Sequence, residues 1–428
     1  MTSVLHASNP QGPSLEVAGG TAEAVNCTFA GNANCYGIVQ TGGGLALRNH
    51  SPAPPRKHMS ETTPQSSARD TPPVINSWVH PIASELPTTL KRSLLVMQDG
   101  SLLGVDADGI AYSHDDGVTW SETLPAAFGQ DPAEPASCYV LEPAPRTLVM
   151  VFLVLKSERR KFGWDEAAGE PVDGCCLELQ SIRSLDGGRT WQDRQTLLDG
   201  CNANFFGFIQ TKTGRLVLTA EHLETRPGRW VVCSLISDDA GLTWRRSNLI
   251  DLGGHGHHDG ALEPTVAELG DGRLLMLIRT NLSRFWQAGS EDGGRYWRTL
   301  APTTLDASSA PGYLLRLRSG RLVFVWNRMN PEGGQWPLQQ PSAAIEVPAS
   351  WYREELSITY SDDDAQSWSK PLVLAHLRGG QISYPLVLER RPGELWVLPG
   401  FVSRKWFNED PVPLKMRLSE AALVGALA

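Results

Sequence analysis

The segment Ser237-Asp238-Asp239-Ala240-Gly241-Leu242-Thr243-Trp244 is one copy of an eight-residue pattern, Ser-x-Asp-x-Gly-x-Thr-Trp, that decides the fold. Four other segments match the pattern, although residues 290–297 carry Tyr at the Thr position and residues 361–368 lack the Gly and carry Ser for Thr. The serines that open successive copies are 71, 53, 53 and 71 residues apart. Repeats of this length, with strand-like segments between them, are typical of a propeller or a similar array. The copies begin at Ser113, Ser184, Ser237, Ser290 and Ser361.

A second element, a tight turn followed by an apolar strand, alternates with the eight-residue pattern. Five clear copies and one degenerate copy at residues 145–149 make six turn-and-strand units. Six units of about four short strands each indicate an all-β protein, and specifically a six-bladed β-propeller. The clear copies place a glycine in the turn, at Gly100, Gly214, Gly272, Gly320 and Gly393.

The eight-residue pattern has a composition suited to a tight hairpin turn. Its Ser and Asp side chains can accept hydrogen bonds from turn amides, its Gly can adopt a positive φ, and its Trp can pack within or between blades. The pattern resembles the Asp-box hairpin, or BNR repeat, of the sialidase (neuraminidase) superfamily. Because the boxes of that family lie away from the active site, the resemblance implies structural roles for Asp115, Asp186, Asp239, Asp292 and Asp363.

Composition and charge exclude several classes of protein. The chain has 428 residues, of which 41% are hydrophobic, so it can bury a large core. Its 47 acidic residues outnumber the 38 basic ones, and the net charge of −9 argues against a dedicated nucleic-acid-binding protein. The longest purely apolar run, residues 148–155, is too short to cross a bilayer. We therefore expect neither nucleic acid nor a membrane among its partners.

The cysteines and the N-terminus bear on the cellular compartment. Seven cysteines are scattered along the chain without the paired spacing of a zinc site. Their odd number favours small buried thiols in a reducing environment. The N-terminus has no basic region followed by an apolar segment, so no signal peptide is recognisable. These features predict a cytoplasmic protein.

Residues 1–73 differ in composition from the rest of the chain. They are rich in Gly, Ala, Ser, Thr, Asn and Pro, and their only aromatic residues are Phe29 and Tyr36. Proline clusters within residues 52–55 and 72–73 disfavour central β-strands. We expect a flexible, low-complexity segment over residues 1–73 and a catalytic propeller over residues 74–428.

The resemblance also implies a site at the central axis of the propeller, where three arginines bind a substrate carboxylate and a Tyr–Glu pair supplies the nucleophile. In sialidases a Glu opens one innermost strand and an Arg closes the next strand, as Glu263 and Arg279 do here. The turn through Asp271-Gly272 would return Arg279 beside Glu263 as a cross-strand neighbour. The resemblance implies a catalytic Glu263 and a substrate-binding Arg279, and a surface salt bridge is the alternative.

Three further positions match the family locally. Arg353 precedes the strand that leads into the last Asp box, as one arginine of the triad does. Tyr384 lies within residues 382–388, which resemble the strand that bears the nucleophilic Tyr, although an ordinary strand aromatic is the alternative. Arg92 resembles the remaining arginine, but the Pro of the family's segment is missing here.

The chief departure from the family concerns the general acid. Sialidases carry a catalytic Asp on a loop between the second strand of the first blade and its Asp box, whereas this chain has no such insertion. Asp106 and Asp108 lie in the short connection and are candidates, although a role in a tight turn is the alternative. His258 and Asp259, just ahead of Glu263, are also candidates.

The leading hypothesis is an exo-glycosidase of sialidase type, acting with retention through a Tyr nucleophile on a sialoglycan or another acidic sugar. Guanidinium groups suit a carboxylate on the anomeric carbon, and a neutral Tyr avoids the repulsion that a carboxylate nucleophile would meet. The missing acid loop and the polar residues 255–259 favour, as an alternative, a uronic-acid-specific glycosidase or polysaccharide lyase. A non-catalytic carbohydrate-binding propeller is the third hypothesis. No cofactor is expected, and no metal, because the histidines at 255, 257 and 258 lack an evident fourth ligand.

Overall fold

The computed structural model describes β-strands within residues 24–49 and most of residues 77–427. The chain divides into two units, Met1–Pro72 and Pro73–Ala428. Among the described residues, no helix is long and apolar enough to span a membrane. The positions between 77 and 427 that remain outside the description are 88, 92, 107, 127–137, 155–162, 166, 176, 255–257, 331–349 and 405–409.

The first unit contains a small antiparallel sheet. Its strands pair in the order of the chain, and Tyr36 lies opposite Asn49 in the register of the second and third strands. The flexibility expected of residues 1–73 stays a prediction, because these strands are the only part of the segment that the structure describes. The strands are β1 (Ala24–Cys27), β2 (Tyr36–Thr41) and β3 (Gly44–Asn49).

The second unit contains six antiparallel sheets arranged as blades, preceded by two short strands, β4 (Ser77–Val79) and β5 (Ala83–Glu85). Blade 1 contains β6 (Ser93–Val96), β7 (Leu102–Asp106) and β8 (Gly109–Ser113). Blade 2 begins with β9 (Cys138–Ala144) and β10 (Thr147–Val154). An inserted hairpin follows, made of β11 (Trp164–Asp165) and β12 (Glu170–Pro171). Blade 2 then ends with β13 (Glu178–Ser184) and β14 (Gln192–Leu198).

Blades 3 to 6 complete the unit, and in each of them the strands named below lie side by side in the order of the chain. Blade 3 contains β15 (Phe208–Gln210), β16 (Leu216–Glu224), β17 (Arg229–Ser237) and β18 (Arg245–Arg246). Blade 4 contains β19 (Leu262–Glu268), β20 (Leu274–Arg279), β21 (Arg284–Ser290) and β22 (Thr299–Asp306). Blade 5 contains β23 (Tyr313–Arg316), β24 (Leu322–Trp326), β25 (Glu355–Ser361) and β26 (Leu372–Leu377). Blade 6 contains β27 (Gln381–Arg391), β28 (Glu394–Ser403) and β29 (Met416–Ser419), followed by the helix α1 (Glu420–Leu427).

The start of the second unit pairs with its last two blades. Strand β4 pairs antiparallel with β26 and becomes the fifth strand of blade 5. Strand β5 pairs antiparallel with β29 and becomes the outer strand of blade 6, with Ala83 opposite Leu418. Strand β5 thus completes blade 6 beside the last strand of the chain, β29, whereas β4 extends blade 5.

The first strands of the six blades form a closed ring around the propeller axis. Each of β6, β9, β15, β19, β23 and β27 contacts the next in chain order, and β27 contacts β6. In every blade the first strand begins, and the second strand ends, at one end of the ring. The Asp boxes follow the third strands of the blades and therefore lie at the opposite end. The all-β, six-bladed propeller predicted from the repeats is confirmed.

Among the described residues, most of the core lies between the blades as six apolar clusters, one for each pair of neighbouring blades. A smaller seventh cluster contains Leu223 and Trp230 of blade 3 and Leu262 of blade 4. Alternate residues of the central strands face opposite neighbours, because successive side chains of a strand point to opposite faces. Val149 packs toward blade 3, for example, whereas Leu148 and Met150 pack toward blade 1. Both faces of these strands are thus buried, which explains their nearly continuous apolar sequences.

The Asp box uses its carboxylate inside its own turn. In the third copy, the Ser237 hydroxyl donates to Asp239 Oδ1 at 2.8 Å, and Ser237 Oγ accepts the Gly241 amide at 2.8 Å. The amide and the hydroxyl of Thr243 donate to the two carboxylate oxygens of Asp239 at 2.8 and 2.6 Å. The other four boxes repeat the Ser-to-Asp hydrogen bond. These contacts support the structural role expected for the box aspartates.

Candidate active site

Glu263 and Arg279 meet at the end of the ring opposite to the Asp boxes. Arg279 is the last residue of β20 and lies opposite Leu262 in the register, one position from Glu263. Its Nη1 forms an ion pair with Glu263 Oε2, and both side chains are about 5% exposed. The structure thus brings the two residues together as the hairpin predicted, and it buries the pair instead of placing it at the surface.

Arg353 and Tyr384 join this pair from blades 5 and 6. The Ile382 amide donates to the Arg353 carbonyl at 2.7 Å, which ties β27 to the segment ahead of β25. The Arg353 guanidinium carbon lies 5.5 Å from the centre of the Tyr384 ring. The Arg353 guanidinium also interacts electrostatically with Tyr384 and with the Glu263 carboxylate.

Ser309 connects the two arginines. Its hydroxyl oxygen accepts a hydrogen bond from Arg279 Nη2 at 2.9 Å, and its carbonyl oxygen accepts one from Arg353 Nη2 at 2.6 Å. Ser309 is itself held by its amide, which donates to the Ser350 carbonyl at 2.7 Å. The two guanidinium groups are therefore fixed relative to each other before any ligand arrives.

Aromatic rings enclose Tyr384. The Phe401 ring lies 4.6 Å from it and the Phe206 ring 5.8 Å from it, both in edge-to-face arrangements. Burial raises the pKa of Tyr384 above its usual value, and the Glu263 carboxylate raises it further, while Arg279 and Arg353 act in the opposite direction. The hydroxyl therefore keeps its proton at neutral pH unless a base takes it.

Glu263 and Tyr384 both have unusual backbone conformations, with φ of +35° and +59°. Such values are uncommon for residues with a side chain and persist where the surroundings hold them. Gly400 leaves room for the backbone of Tyr384. A Cβ at position 400 would lie 3.1 Å from the carbonyl oxygen of Tyr384 and 3.3 Å from the Cβ of Tyr384. Positive φ at both members of the proposed catalytic pair is typical of functional sites.

The four candidates for the general acid occupy different environments. Asp106 ends β7 and forms an ion pair with Lys91, and Asp108 is exposed in the turn that follows. Asp259 is buried, and its Oδ1 accepts the amide hydrogen of the next residue at 2.8 Å. His258 is exposed, and its ring lies 5.3 Å from that of Trp351. Trp351 also packs under the Arg353 guanidinium, so His258 lies on the rim next to the arginines.

Some predicted positions lie outside the described residues. These include Arg92, the third arginine of the expected triad, and the histidines at 255 and 257. Among the residues that the structure describes, no group of three or more His, Cys, Asp or Glu side chains could hold a metal ion. The role of Arg92 stays a prediction.

Sequence reasoning missed three neighbours of Glu263 and Arg279, namely Glu221, Ser309 and Asn204. The Glu221 carboxylate accepts the Glu263 amide hydrogen at 2.9 Å, and Asn204 Nδ2 lies 3.5 Å from Glu263 Oε1. One signal could have pointed to Glu221, which is a charged residue that directly follows the mainly apolar residues 216–220 of β16. Neither Ser309 nor Asn204 has such a signal, because both lie in loops whose path the sequence pattern does not define.

Comparison with known protein families gives one match that covers most of the propeller. The family model described as a BNR repeat-like domain matches residues 109–397. A sialidase from Micromonospora viridifaciens is 28% identical over 246 residues, which cover 52% of this chain and 36% of the sialidase. The aligned part thus spans about a third of the length of that relative.

Solved structures share the fold at low sequence identity. A protein of unknown function from Dyadobacter fermentans has a TM-score of 0.52 and 17% identity, with 79% of this chain and all of the other covered. The Hadza microbial sialidase Hz136 has a TM-score of 0.50 and 17% identity, with 78% of this chain and 66% of the other covered. At this level of identity the similarity extends to the fold alone.

Proposed function

The chain belongs to the BNR repeat-like domain family, and from that membership we propose that it is a sialidase-like exo-glycosidase. Its substrate is a sialoglycan or another glycan that ends in a sugar with a carboxylate on its anomeric carbon. The observation that carries the proposal is the cluster of the buried Glu263, Arg279 and Arg353 with the half-buried Tyr384 at one end of the propeller axis.

The two arginines bind the substrate carboxylate. A guanidinium presents two parallel N–H donors that match the two oxygens of a carboxylate, whereas an ammonium acts as a point charge. Arg279 and Arg353 are held on the same residue, Ser309, so their orientation costs little when the substrate binds. Arg92 is proposed to add the third guanidinium.

Tyr384 attacks the anomeric carbon. Its phenolic proton passes to the Glu263 carboxylate as the bond from the Tyr oxygen to the anomeric carbon forms and the glycosidic bond breaks. A general acid protonates the departing oxygen, which contributes roughly 10² to 10⁴-fold. Water then attacks the anomeric carbon from the opposite side and gives a proton to the deprotonated general acid, while the bond from that carbon to the Tyr384 oxygen breaks and Glu263 returns the proton to Tyr384. The two displacements together retain the anomeric configuration.

His258 is the candidate acid that we would test before the other three. It lies on the rim beside Trp351 and Arg353, where a leaving group would exit, while Asp106 is engaged by Lys91. Replacement of His258 by Gln should slow aryl glycosides with poor leaving groups more than those with good ones, because a good leaving group needs no proton. An equal effect on both would assign the acid to another residue.

A panel of fluorogenic glycosides tests the proposal as a whole. Sialosides should be cleaved, whereas glucuronides and rhamnosides should not, because the two arginines address a carboxylate on the anomeric carbon. Release from a uronide alone would contradict the proposal and favour the uronic-acid-specific alternative. Binding of sialosides without release would favour a carbohydrate-binding propeller.

A further inference from the structure

We propose that Glu221 is a positioning residue that holds the catalytic Glu263 in place through its backbone amide. The inference rests on the proposed role of Glu263 as the base for Tyr384. Glu221 lies in β16 of blade 3 and is 2% exposed, and its Oε2 accepts the Glu263 amide hydrogen across the blade boundary at 2.9 Å.

The first step of the argument concerns the amide of Glu263. The pairing of β19 with β20 is irregular between Leu262 and Thr265, so Glu263 lies at a bulge in the ladder. At a bulge the extra residue is left without its ladder partner, and a buried amide then needs another acceptor. Glu221 supplies that acceptor from the neighbouring blade.

The second step concerns the backbone of Glu263, whose φ is +35°. A conformation of this kind persists only where several contacts define it. Three contacts hold the residue: the Glu221 carboxyl on its amide, Arg279 on Oε2, and Asn204 near Oε1. Of these, the contact from Glu221 alone holds the backbone, and the other two hold the side chain.

The third step concerns charge. Glu263 and Arg279 are the charged groups that face Glu221, from β19 and β20. Burial and the Glu263 carboxylate raise the pKa of Glu221 well above its usual value, and the Glu263 amide and Arg279 only partly oppose this. A protonated Glu221 still accepts the amide hydrogen through its carbonyl oxygen. It adds no negative charge to a site that receives an anionic sugar.

Two substitutions at Glu221 test whether its role is to accept the hydrogen bond from the Glu263 amide. Glu221→Gln keeps a neutral carbonyl acceptor, so kcat should stay within about threefold of wild type. Glu221→Leu removes the acceptor, and kcat should fall by about 100-fold with KM nearly unchanged, because a displaced base affects the attack more than the binding. Wild-type kcat in a folded Glu221→Leu protein, or equal losses in both variants, would overturn the proposal.

Glu389→Leu is the matched control. Glu389 is also a buried carboxyl that accepts backbone amides, from Arg318 and Gly393 at 2.8 Å each, but it lies toward the Asp-box end of blade 6. This variant should lose thermal stability like Glu221→Leu while it keeps its kcat. A similar loss of kcat in Glu389→Leu would show that any cavity of this kind impairs turnover, and would overturn the positioning role.

Two readouts do not depend on turnover. The infrared difference spectrum between wild type and Glu221→Gln at neutral pH should contain the carbonyl stretch of a protonated carboxyl. A crystal structure of Glu221→Leu should show Glu263 with a changed φ and a displaced carboxylate. If wild type cleaves no glycoside, the proposed function fails, and these two measurements still decide the inference. Absence of the band together with an unmoved Glu263 would overturn it.

Discussion

The guanidinium groups of Arg279 and Arg353 both donate hydrogen bonds to Ser309, so each of them has a defined orientation. Replacement of either by Lys should lower kcat/KM on sialosides by about 100-fold, mainly through KM, because a point charge cannot match the planar carboxylate. Arg183→Lys is the control, since Arg183 is also buried but pairs with Asp193 in blade 2. The measurement is steady-state kinetics, with circular dichroism to verify folding.

Near wild-type turnover in folded Arg279→Lys and Arg353→Lys proteins would remove both residues from the substrate site. An equal loss in Arg183→Lys would instead attribute the effect to general destabilisation. The two results are distinguishable, because the second would appear with every substrate and with a lowered melting temperature.

Tyr384 gives the second prediction at this scale. A fluorinated sialic-acid inactivator slows breakdown of the tyrosyl-linked intermediate, so its mass should appear on the peptide that contains Tyr384. Tyr384→Phe should abolish labelling and most turnover, because the phenyl ring fills the same space without an oxygen. Tyr360→Phe, in β25 beside Arg321, should label normally. Proton NMR of the first-released sugar should show retention, and an inverted product would exclude this mechanism.

The sequence alone indicated some of these residues and not others, for a physical reason. Glu263 and Arg279 belong to one hairpin, so local register suffices to bring them together. Glu221 and Ser309 reach them from other blades. Which side chains cross a blade boundary depends on the twist and spacing of the sheets, and a pattern within one blade carries no information about either.

At the scale of one element, the Asp box predicts a pH dependence of stability. Hydrogen bonds from the Thr119 hydroxyl and amide lower the pKa of Asp115 from its usual value of 3.8 to about 2. A group whose pKa is lower in the folded state stabilises the fold above its unfolded pKa. That contribution is lost as the pH falls through the folded value, here between about 4 and 2.

Asp115→Asn should therefore melt at a lower temperature than wild type near neutral pH, and the difference should shrink as the pH falls from about 4 toward 2. Thermal melts at a series of pH values measure it. Asp108→Asn is the control, because Asp108 is exposed in a turn of the same blade. A difference in melting temperature that stays constant down to pH 2 would show that the charge of Asp115 does not contribute.

The hairpins of the repeats could be predicted better than the two short strands, β4 and β5, that precede the first blade. Box and turn signals are local, because they depend on hydrogen bonds and φ values within a few residues, and they located the hairpins correctly. Strands β4 and β5 contain three residues each and have no repeat signal, so their partners could not be assigned. Their positions follow from the open edges of blades 5 and 6, a property of the assembled sheets.

At the scale of the whole molecule, the completion of blade 6 by β5 predicts two different outcomes for truncation. Strand β5 pairs with β29, and the next residue, Leu86, donates its amide to the Lys415 carbonyl at 2.8 Å and is buried between blades 6 and 1. Deletion of residues 1–86 should lower the melting temperature by at least about 5 °C, because it removes a buried Leu and two strand pairings. It should also promote association, since the edge of β29 becomes free to pair with another chain.

Deletion of residues 1–58 should leave activity and melting temperature nearly unchanged, because it retains β4 and β5 and so leaves blades 5 and 6 complete. Differential scanning fluorimetry and size-exclusion chromatography compare the two truncations with the full chain. Equal melting temperatures for all three would show that β29 does not need its partner. A large fall in melting temperature for the 1–58 deletion would show instead that residues 1–58 contribute to the stability of the propeller. The pairings of β4 and β5 are present in that protein and in the full chain, so they could not explain the difference.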